Sequence, residues 1–246
     1  MVNSESKTPT AVPLIQLDHI GVRYGSALAL REINLSIAPG SIVGVVGPNG
    51  VGKTTLLRVM SGLLRPSQGR ILWKGEDLGR FSPHSAVRKG IAHVPEGRRL
   101  IAELEVIDNL HLGAVAAGLS PKHGVDKVIE MFPAVERLLN RKAGQLSGGE
   151  QQMVAVGRGL MSKPELLLID ELSLGLAPKI TVELFEALRT LARTTGLTLL
   201  LVDQSVRLLN KYVDDLWALS HGQLVPVDRT AGITSLDSYI AEGTTE

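Results

Sequence analysis

The stretch SIVGVVGPNGVGKTTLLRVMSGLL, residues 41–64, decides the fold of this chain. Its first six residues, SIVGVV, form an apolar run that predicts a buried strand. Residues 47–54 then fill the pattern G-x-x-x-x-G-K-[ST], and KTTLLRVMSGLL at 53–64 predicts a helix. Backbone N–H groups of such a loop and the N-terminus of the helix attract an anion. The stretch therefore predicts a phosphate-binding loop, the alternative being an accidental glycine turn before a helix.

This phosphate loop supplies most of the candidate binding residues. Lys53 is predicted to reach the β- and γ-phosphates of a nucleotide and to assist catalysis, and the Thr54 hydroxyl is predicted to ligate Mg²⁺. The residues predicted to contact the nucleotide here are Gly47, Pro48, Asn49, Gly50, Gly52, Lys53, Thr54 and Thr55.

An acidic pair, Asp170 and Glu171, ends the apolar run ELLLIDE at 165–171. Ligands of open α/β sheets bind at the carboxyl ends of the strands, where this pair would lie. Asp170 is therefore predicted to hold Mg²⁺, and Glu171 to polarise an attacking water as the catalytic base. Taken alone, the pair would also suit a solvated strand end.

Continuous apolar runs elsewhere predict a parallel sheet that is covered on both faces. They are IAHVP at 91–95, ELLLID at 165–170 and LTLLLV at 197–202, with SIVGVV before the phosphate loop. Shorter strands are predicted within LIQLDHI at 14–20, INLSI at 33–37 and RILWK at 70–74. Residues 97–145 carry charge and helical spacing, with a helix start predicted at Ser120-Pro121, and 178–194 predicts an amphipathic helix. These elements indicate one nucleotide-binding domain with a helical arm.

Composition excludes several classes of function. The 246 residues carry a formal net charge of +1 with 21% charged residues, which argues against binding nucleic acid by bulk electrostatics. The chain has no cysteine, which excludes a disulfide scaffold, a thiolate zinc site and a Cys nucleophile. The polar start MVNSESKTPTAVP is not a secretory signal, and the apolar runs are too short to span a bilayer. We therefore expect a soluble protein that reaches a membrane through a partner.

A second glycine loop, LSGGEQQ at 146–152, also resembles an anion site. The phosphate loop, LSGGEQQ and LLLIDE, in this order, resemble the ATP-binding subunit of ABC transporters over about residues 14–225. The resemblance implies an α/β P-loop NTPase cassette with a RecA-like parallel-sheet core, an N-terminal antiparallel β subdomain and a helical signature subdomain. The expected boundaries are a flexible tail at 1–12, a cassette at 13–230 with its helical subdomain at about 97–148, and a C-terminal tail at 231–246.

The resemblance also explains the second loop. In similar proteins two cassettes join head to tail, and the signature loop of one closes over the γ-phosphate of the ATP held by the other. Here Ser147, Gly148 and Gly149 would bind that nucleotide, the alternative being an ordinary helix-capping turn. The implied cofactors are ATP and Mg²⁺. The implied partners are a second cassette (a sister or a copy of this chain), transmembrane permease subunits and, indirectly, a solute-binding protein, with no nucleic acid. The implied location is the cytoplasmic face of the cell membrane.

Individual positions follow from the same resemblance. Tyr24 matches the aromatic residue that stacks on adenine, although a plain strand-edge tyrosine is the alternative. Glu96 stands in place of the usual Q-loop glutamine and is expected to join Thr54 and Asp170 at the metal. Gln204 stands in place of the switch histidine; because an amide does not titrate, we expect it to position reactants during catalysis.

Further departures narrow the branch of the family. Ala177 replaces the D-loop aspartate, whereas Leu172, which replaces a proline, departs even from the branch identified below. VPEGRR at 94–99, SLGLAP at 173–178 and residues 131–153 resemble the ATPase of high-affinity branched-chain amino-acid importers and its relatives for urea and amides. The predicted function is therefore that of an ATP-hydrolysing importer subunit. ATP-driven closure of a dimer of two cassettes would power the permease.

Some alternatives stay open at the level of sequence. The segment LIAELEVIDN at 100–109 departs from the wording of that branch, and this departure predicts a different contact with the permease. Arg98 and Arg99 belong either to the surface that contacts the permease or to a solvated face. The second function considered is a soluble ABC ATPase without a transport role. The spacing of about 95 residues between Gly52 and Ser147 leaves no room for the coiled coil of repair members, whereas an iron–sulfur assembly ATPase fits the length.

Overall fold

The computed structural model describes residues 12–122 and 124–228. The predicted tails at 1–12 and 231–246 lie outside these residues, apart from Val12. In chain order the elements are β1 (Ile15–Tyr24), β2 (Ala27–Ile37), β3 (Ile42–Val46), α1 (Lys53–Met60), β4 (Gln68–Trp73), β5 (Glu76–Asp77), α2 (Pro83–Arg88), β6 (Ile91–Val94), α3 (Val106–Ala116), α4 (Val125–Met131), α5 (Gly148–Leu160), β7 (Leu166–Asp170), α6 (Pro178–Thr195), β8 (Thr198–Asp203), α7 (Val206–Tyr212), β9 (Asp215–Ser220) and β10 (Gln223–Pro226). Short 3-10 helices lie at Pro133–Leu138 and Ala143–Gln145.

The strands form two sheets. An antiparallel sheet has the order β2-β1-β4-β5, and the predicted strands at 14–20, 33–37 and 70–74 overlap its members. The other sheet has the order β10-β9-β3-β8-β7-β6, in which β9, β3, β8, β7 and β6 run parallel and β10 is antiparallel to β9. The parallel core and the N-terminal antiparallel sheet are therefore confirmed.

The parallel strands are buried on both faces. On β3, Ile42 and Val46 belong to one apolar cluster while Val43 and Val45 belong to another. The same alternation continues on β7 and β8, where every residue is buried. One cluster includes residues of α5, α6 and α7, and the other includes α1 and the antiparallel sheet. This layering explains why these strands read as continuous apolar runs, and it fixes the strand ends at which the candidate site lies.

One helix start predicted within residues 97–145 was wrong. Residues 121–122 form a turn, and α4 begins at Val125 after Gly124. Gly124 has a φ of 91°, a left-handed conformation that interrupts any helix running on from Ser120-Pro121. Helix α1 also ends at Met60, earlier than the predicted residue 64. Within residues 12–122 and 124–228, no helix has the length and apolar character to cross a membrane.

Candidate active site

The phosphate loop joins the end of β3 to the start of α1. Gly52, which precedes the helix, has a φ of 114°, and a Cβ at this position would lie 2.8 Å from the carbonyl oxygen of Ala29 on β2. A side chain is therefore excluded both by backbone conformation and by the packing of β2 against the loop. The buried strand β3 thus delivers the loop to the carboxyl edge of the sheet, with Lys53 as the first residue of α1.

Lys53 is turned back onto its own loop. Its Nζ donates to the carbonyl oxygens of Gly47 at 2.8 Å and Pro48 at 3.0 Å, and lies 3.2 Å from Oε1 of Glu171. Lys53 and Glu171 are both buried, so the ion pair compensates two charges that would be costly to bury singly. These contacts hold the Lys53 ammonium group between the phosphate loop and Glu171.

Glu171 connects the phosphate loop, through Lys53, to strand β8 and to the residue that follows it. It has a φ of 50°, in the left-handed region that residues with a Cβ rarely adopt, and its N–H donates to the carbonyl oxygen of Val202 at 2.8 Å. Its Oε2 accepts a hydrogen bond from Nε2 of Gln204 at 3.2 Å. The structure thus brings together Lys53, Glu171 and Gln204, the residues predicted to be catalytic.

Asp170 lies beside this cluster and is 1% exposed. Among the described residues, neither of its carboxylate oxygens has a hydrogen-bond partner of normal geometry. Burial raises the pKa of Asp170, and the nearby carboxylates of Glu171 and Glu96 raise it further, whereas the Thr54 hydroxyl and the Lys53 ammonium lower it. The predicted metal ligands Thr54, Glu96 and Asp170 therefore lie near one another.

These groups fit Mg²⁺ better than a cation that needs a complete protein cage. No cluster of three or more His, Cys, Asp or Glu residues suited to a metal occurs in the described part of the chain. Asp170 offers unpaired, buried oxygens close to the Thr54 hydroxyl. Mg²⁺ characteristically takes one or two carboxylates and completes its shell with water and substrate phosphates.

The signature loop begins α5. Ser147 is the N-cap residue, and its hydroxyl donates to Oε2 of Glu150 at 2.8 Å, while the same carboxylate accepts the Ser147 N–H at 2.9 Å. Hydrogen bonds from the Ser147 backbone and side chain lower the pKa of Glu150. Helix α5 therefore begins at Gly148, directly after a serine that caps it.

The glycines of this loop face other elements. A Cβ at Gly148 would lie 3.1 Å from the Arg98 guanidinium, and one at Gly149 would lie 2.8 Å from the Ile180 side chain on α6. Within residues 12–122 and 124–228, no hydrogen bond joins 147–149 to the phosphate loop. The signature loop is thus packed against Arg98 and α6, whereas the phosphate loop is packed against β2.

Residues 97–99 connect Glu96 to the signature helix. Gly97, Arg98 and Arg99 have φ values of 75°, 65° and 49°, a run of left-handed residues that needs external support. Arg158 on α5 donates to the carbonyl oxygens of Arg99 at 2.8 Å and Arg98 at 3.0 Å. Burial lowers the pKa of Arg158.

Arg98 adds a second connection to the same helix. Its guanidinium donates to Oε1 of Gln152 and Oε1 of Gln151, each at 3.3 Å. The sequence assigned Arg98 either to a coupling surface or to solvent; the structure shows it bonded to α5. Arg158 was not singled out from the sequence, because a single basic residue inside a helix carries no local signal.

Tyr24 ends β1 and its side chain is 47% exposed. It pairs with Ala27 of β2, the strand whose Ala29 carbonyl lies against Gly52. A cavity of about 320 Å³ lies beside the phosphate loop; its lining comprises Leu28, Ala29, Pro48, Asn49, Gly50, Val51, Ser220, His221 and Gly222. Tyr24 thus stands on the hairpin whose Leu28 and Ala29 line this cavity, and it is not itself one of the lining residues.

A larger cavity, about 490 Å³, lies between the C-terminal ends of α5 and α6 and helix α4. Its described lining is mainly apolar, including Val128, Met131, Leu160 and Leu191, and contains none of the predicted site residues. The candidate site therefore does not lie in this larger cavity.

The departures at positions 172 and 177 have simple structural settings. Leu172 is 1% exposed and packs in the apolar cluster on the α5–α7 face, so its side chain is part of the core. Ala177 is the N-cap residue of α6 and makes no side-chain cap, and the helix instead begins with Pro178, a favoured first residue.

One buried acid was not assigned a role from the sequence. Asp203 ends β8 and is 2% exposed, and its two carboxylate oxygens accept the N–H groups of Ser173 and Ser205. The available signal was the same one that identified Asp170, an acidic residue at the end of the continuous apolar run LTLLLVD.

The comparisons with known proteins agree with this geometry. The profile of the ABC transporter family matches residues 30–173. The chain is 40% identical over 221 residues to the high-affinity branched-chain amino acid transport ATP-binding protein BraG of Pseudomonas aeruginosa, covering 89% of this chain and 94% of that protein.

The chain belongs to the ABC transporter family. A probable branched-chain amino acid transport ATP-binding protein, LivF of Archaeoglobus fulgidus, is 34% identical over 82% of this cassette and 86% of its own length. The crystal structure of a nucleotide-free ATP-binding cassette from an ABC transporter superposes with a TM-score of 0.83 at 26% identity, covering 95% of this chain and 99% of the other. The predicted α/β cassette fold and the predicted family are confirmed, and the roles of individual site residues remain predictions.

Proposed function

We propose that this cassette is the ATP-hydrolysing subunit of an ABC importer for branched-chain amino acids. The buried cluster of Lys53, Glu171 and Gln204 beside Asp170 supports the chemistry. The proposed solute class rests on the 40% identity to BraG over nearly the whole of both chains. The cassette itself would not contact the solute, which the permease subunits would carry.

The residues of the cluster have distinct parts in this proposal. The Lys53 ammonium exchanges its bonds to the Gly47 and Pro48 carbonyls for phosphate oxygens, which keeps its charge compensated. The Glu171 carboxylate then accepts the proton of the attacking water. Gln204 holds Glu171 in place through a neutral amide hydrogen bond. The backbone N–H groups of the phosphate loop and the start of α1 bind the β-phosphate.

Asp170 and Thr54 would hold Mg²⁺, with Glu96 close by. When bound, the cation neutralises developing charge on the phosphate oxygens. The burial that raises the pKa of Asp170 supports this proposal, since a bound cation would favour the ionised carboxylate.

The complete site in this proposal contains two cassettes. Ser147, Gly148 and Gly149 would close on the γ-phosphate held by a second cassette, and Tyr24 would stack on adenine in its own chain. The supporting observation is that Ser147–Gly149 start a helix of 13 residues and make no hydrogen bond to the phosphate loop within the described chain. Permease subunits would hold the pair at the cytoplasmic face of the membrane.

The direct test is to measure solute uptake in proteoliposomes that contain the assembled transporter. The transporter is purified by means of its cassette, together with the permease subunits that accompany it. We expect ATP-dependent uptake of labelled leucine, isoleucine or valine, and loss of ATPase activity by at least about 10²-fold in the Lys53→Ala variant. Leu112→Ala, on an exposed surface of α3, tests permease contact and should leave basal ATP hydrolysis unchanged.

Two results would contradict different parts of the proposal. Unchanged turnover in Lys53→Ala would remove the ATPase assignment. Uptake of urea, an amide or methionine without any branched-chain amino acid would retain the ATPase and replace the solute. A cassette that copurifies with no membrane protein would favour a soluble ABC ATPase.

A further inference from the structure

We propose that Asp203 is a positioning residue for hydrolysis, because its buried carboxylate ties the loop after Glu171 to the turn that carries Gln204. The inference rests on the proposed ATPase function, since it assigns a further part within the same site. Asp203 does not belong to the groups expected to touch ATP, the metal or the attacking water.

The two oxygens of Asp203 serve two different loops. Oδ2 accepts the N–H of Ser173 at 3.2 Å, and Oδ1 accepts the N–H of Ser205 at 3.0 Å. Strands β7 and β8 are parallel neighbours in which Asp170 pairs with Val202, so Asp203, the last residue of β8, lies beside Glu171. At 2% exposure, its hydrogen bonds are shielded from competing water.

On the first side, Asp203 supports a strained segment. Glu171 has a φ of 50°, and a non-glycine residue persists in this conformation when its surroundings hold it there. The Ser173 N–H anchored on Asp203 lies two residues away, in a turn that also includes the hydrogen bond from Leu174 N–H to the Glu171 carbonyl. Releasing Ser173 would allow Glu171 to relax towards an ordinary φ and withdraw its carboxylate.

On the second side, Asp203 fixes the backbone around Gln204. Ser205 is the N-cap residue of α7, where its hydroxyl accepts the Leu208 N–H at 3.3 Å. Gln204 is therefore held between β8 and α7, and its Nε2 reaches Glu171 at 3.2 Å. The contacts form a closed ring that runs from Glu171 through Ser173, Asp203 and Gln204 back to Glu171.

The chain offers a matched control for a purely structural role. Asp214 also accepts a backbone N–H, that of Ile42 at 2.9 Å, and it pairs with Arg193. Ile42 begins β3 whereas the phosphate loop follows its end, so Asp214 lies at the opposite edge of the sheet. Asp214→Asn should lower stability without affecting the geometry of Glu171.

The experiment compares Asp203→Asn and Asp214→Asn in the assembled transporter. Asparagine keeps one acceptor oxygen, and its amide nitrogen cannot accept the second N–H. We expect kcat to fall about 10²-fold in Asp203→Asn, as for a small misplacement of a reacting group. In Asp203→Asn the KM for ATP and the nucleotide affinity should stay unchanged. Asp214→Asn should keep the wild-type kcat even when its Tm falls as far as that of Asp203→Asn.

The inference is overturned if Asp203→Asn keeps the wild-type kcat, or if Asp214→Asn loses kcat equally for the same loss of Tm. Should Asp203→Asn fail to fold, amide hydrogen exchange of the unmodified transporter decides. Protection at Ser173 and Ser205 supports the anchors, and exchange as fast as at exposed loops refutes them. If the unmodified transporter hydrolyses no ATP, the proposed function fails. Amide hydrogen exchange at Ser173 and Ser205 still tests the two hydrogen bonds to Asp203 separately.

Discussion

Gln204 is the residue whose chemistry most clearly separates this cassette from a histidine-bearing relative. Its amide donates to Glu171 and carries no titratable proton in the physiological range. The consequence for pH dependence follows directly. A histidine at this position would titrate, and the neighbouring Glu171 carboxylate would raise its pKa above the usual value of about 6.5.

We therefore expect the pH–rate profile of the native assembly to show no ionisation that belongs to position 204. The Gln204→His variant should gain an inflection above about pH 6.5. The measurement is ATPase rate between pH 5 and pH 9 at saturating ATP for both proteins. The explanation fails if the native profile contains an inflection that disappears when Gln204 is changed.

At the scale of elements, the start of α5 combines a structural cap with a candidate binding loop. Glu150 accepts both the N–H and the hydroxyl of Ser147, and its pKa is lowered mainly by these bonds. A carboxylate with a lower pKa in the folded state than in the unfolded state stabilises the fold fully above the unfolded value, about 4.3 for Glu. That contribution disappears as pH falls through the folded value.

The Glu150→Gln variant tests this cap. At pH 7 we expect its free energy of unfolding to be lower by about 0.3–1 kcal/mol, a size limited by solvent screening at this partly exposed position. The difference from the unmodified protein should shrink as the pH falls below about 4.3 and then vanish. Urea unfolding at a series of pH values measures it, and a difference that stays constant across the series would refute the ionised cap.

Elements could be predicted from sequence where their signal was local. The continuous runs of β3, β6, β7 and β8 identified a sheet buried on both faces, and the glycine loop fixed the start of α1. Strands β9 and β10 at one side of this sheet escaped, because DLWALS and QLVP mix polar and apolar residues. The start of α4 was misplaced because Ser120-Pro121 is a good local helix signal, which the left-handed Gly124 overrides.

Within the site, predictability depended on where the partner of each residue lies in the chain. Lys53, Asp170 and Glu171 are marked by short motifs in a recognisable strand context. Arg158 donates to the Arg98 and Arg99 carbonyls, 60 and 59 residues away, and Asp203 accepts the Ser173 N–H from 30 residues away besides that of the nearby Ser205. The end of the run LTLLLVD marks Asp203 as a candidate, but the long-range partners of both residues leave no motif in the sequence, so the fold had to be known first.

At the scale of the whole molecule, our proposal gives the chain two halves of an anion site. The phosphate loop with Lys53, Glu171 and Gln204 is one half, and the Ser147–Gly149 loop at the start of α5 is the other. Head-to-tail pairing of two cassettes would bring unlike halves together and bury ATP between them. Hydrolysis would then remove the ligand that joins the pair, which is how closure and opening would drive a permease.

The most direct test of this account is light scattering of the Glu171→Gln cassette with ATP and Mg²⁺, alone and mixed with its sister cassette, with bound nucleotide assayed in parallel. Glutamine keeps the size of Glu171 and cannot accept the proton of water, so binding should survive and hydrolysis should stop. We predict that ATP converts the variant into a stable two-cassette complex that retains unhydrolysed ATP. A cassette that binds ATP and stays monomeric under both conditions, or that hydrolyses ATP at the unmodified rate, would contradict the account.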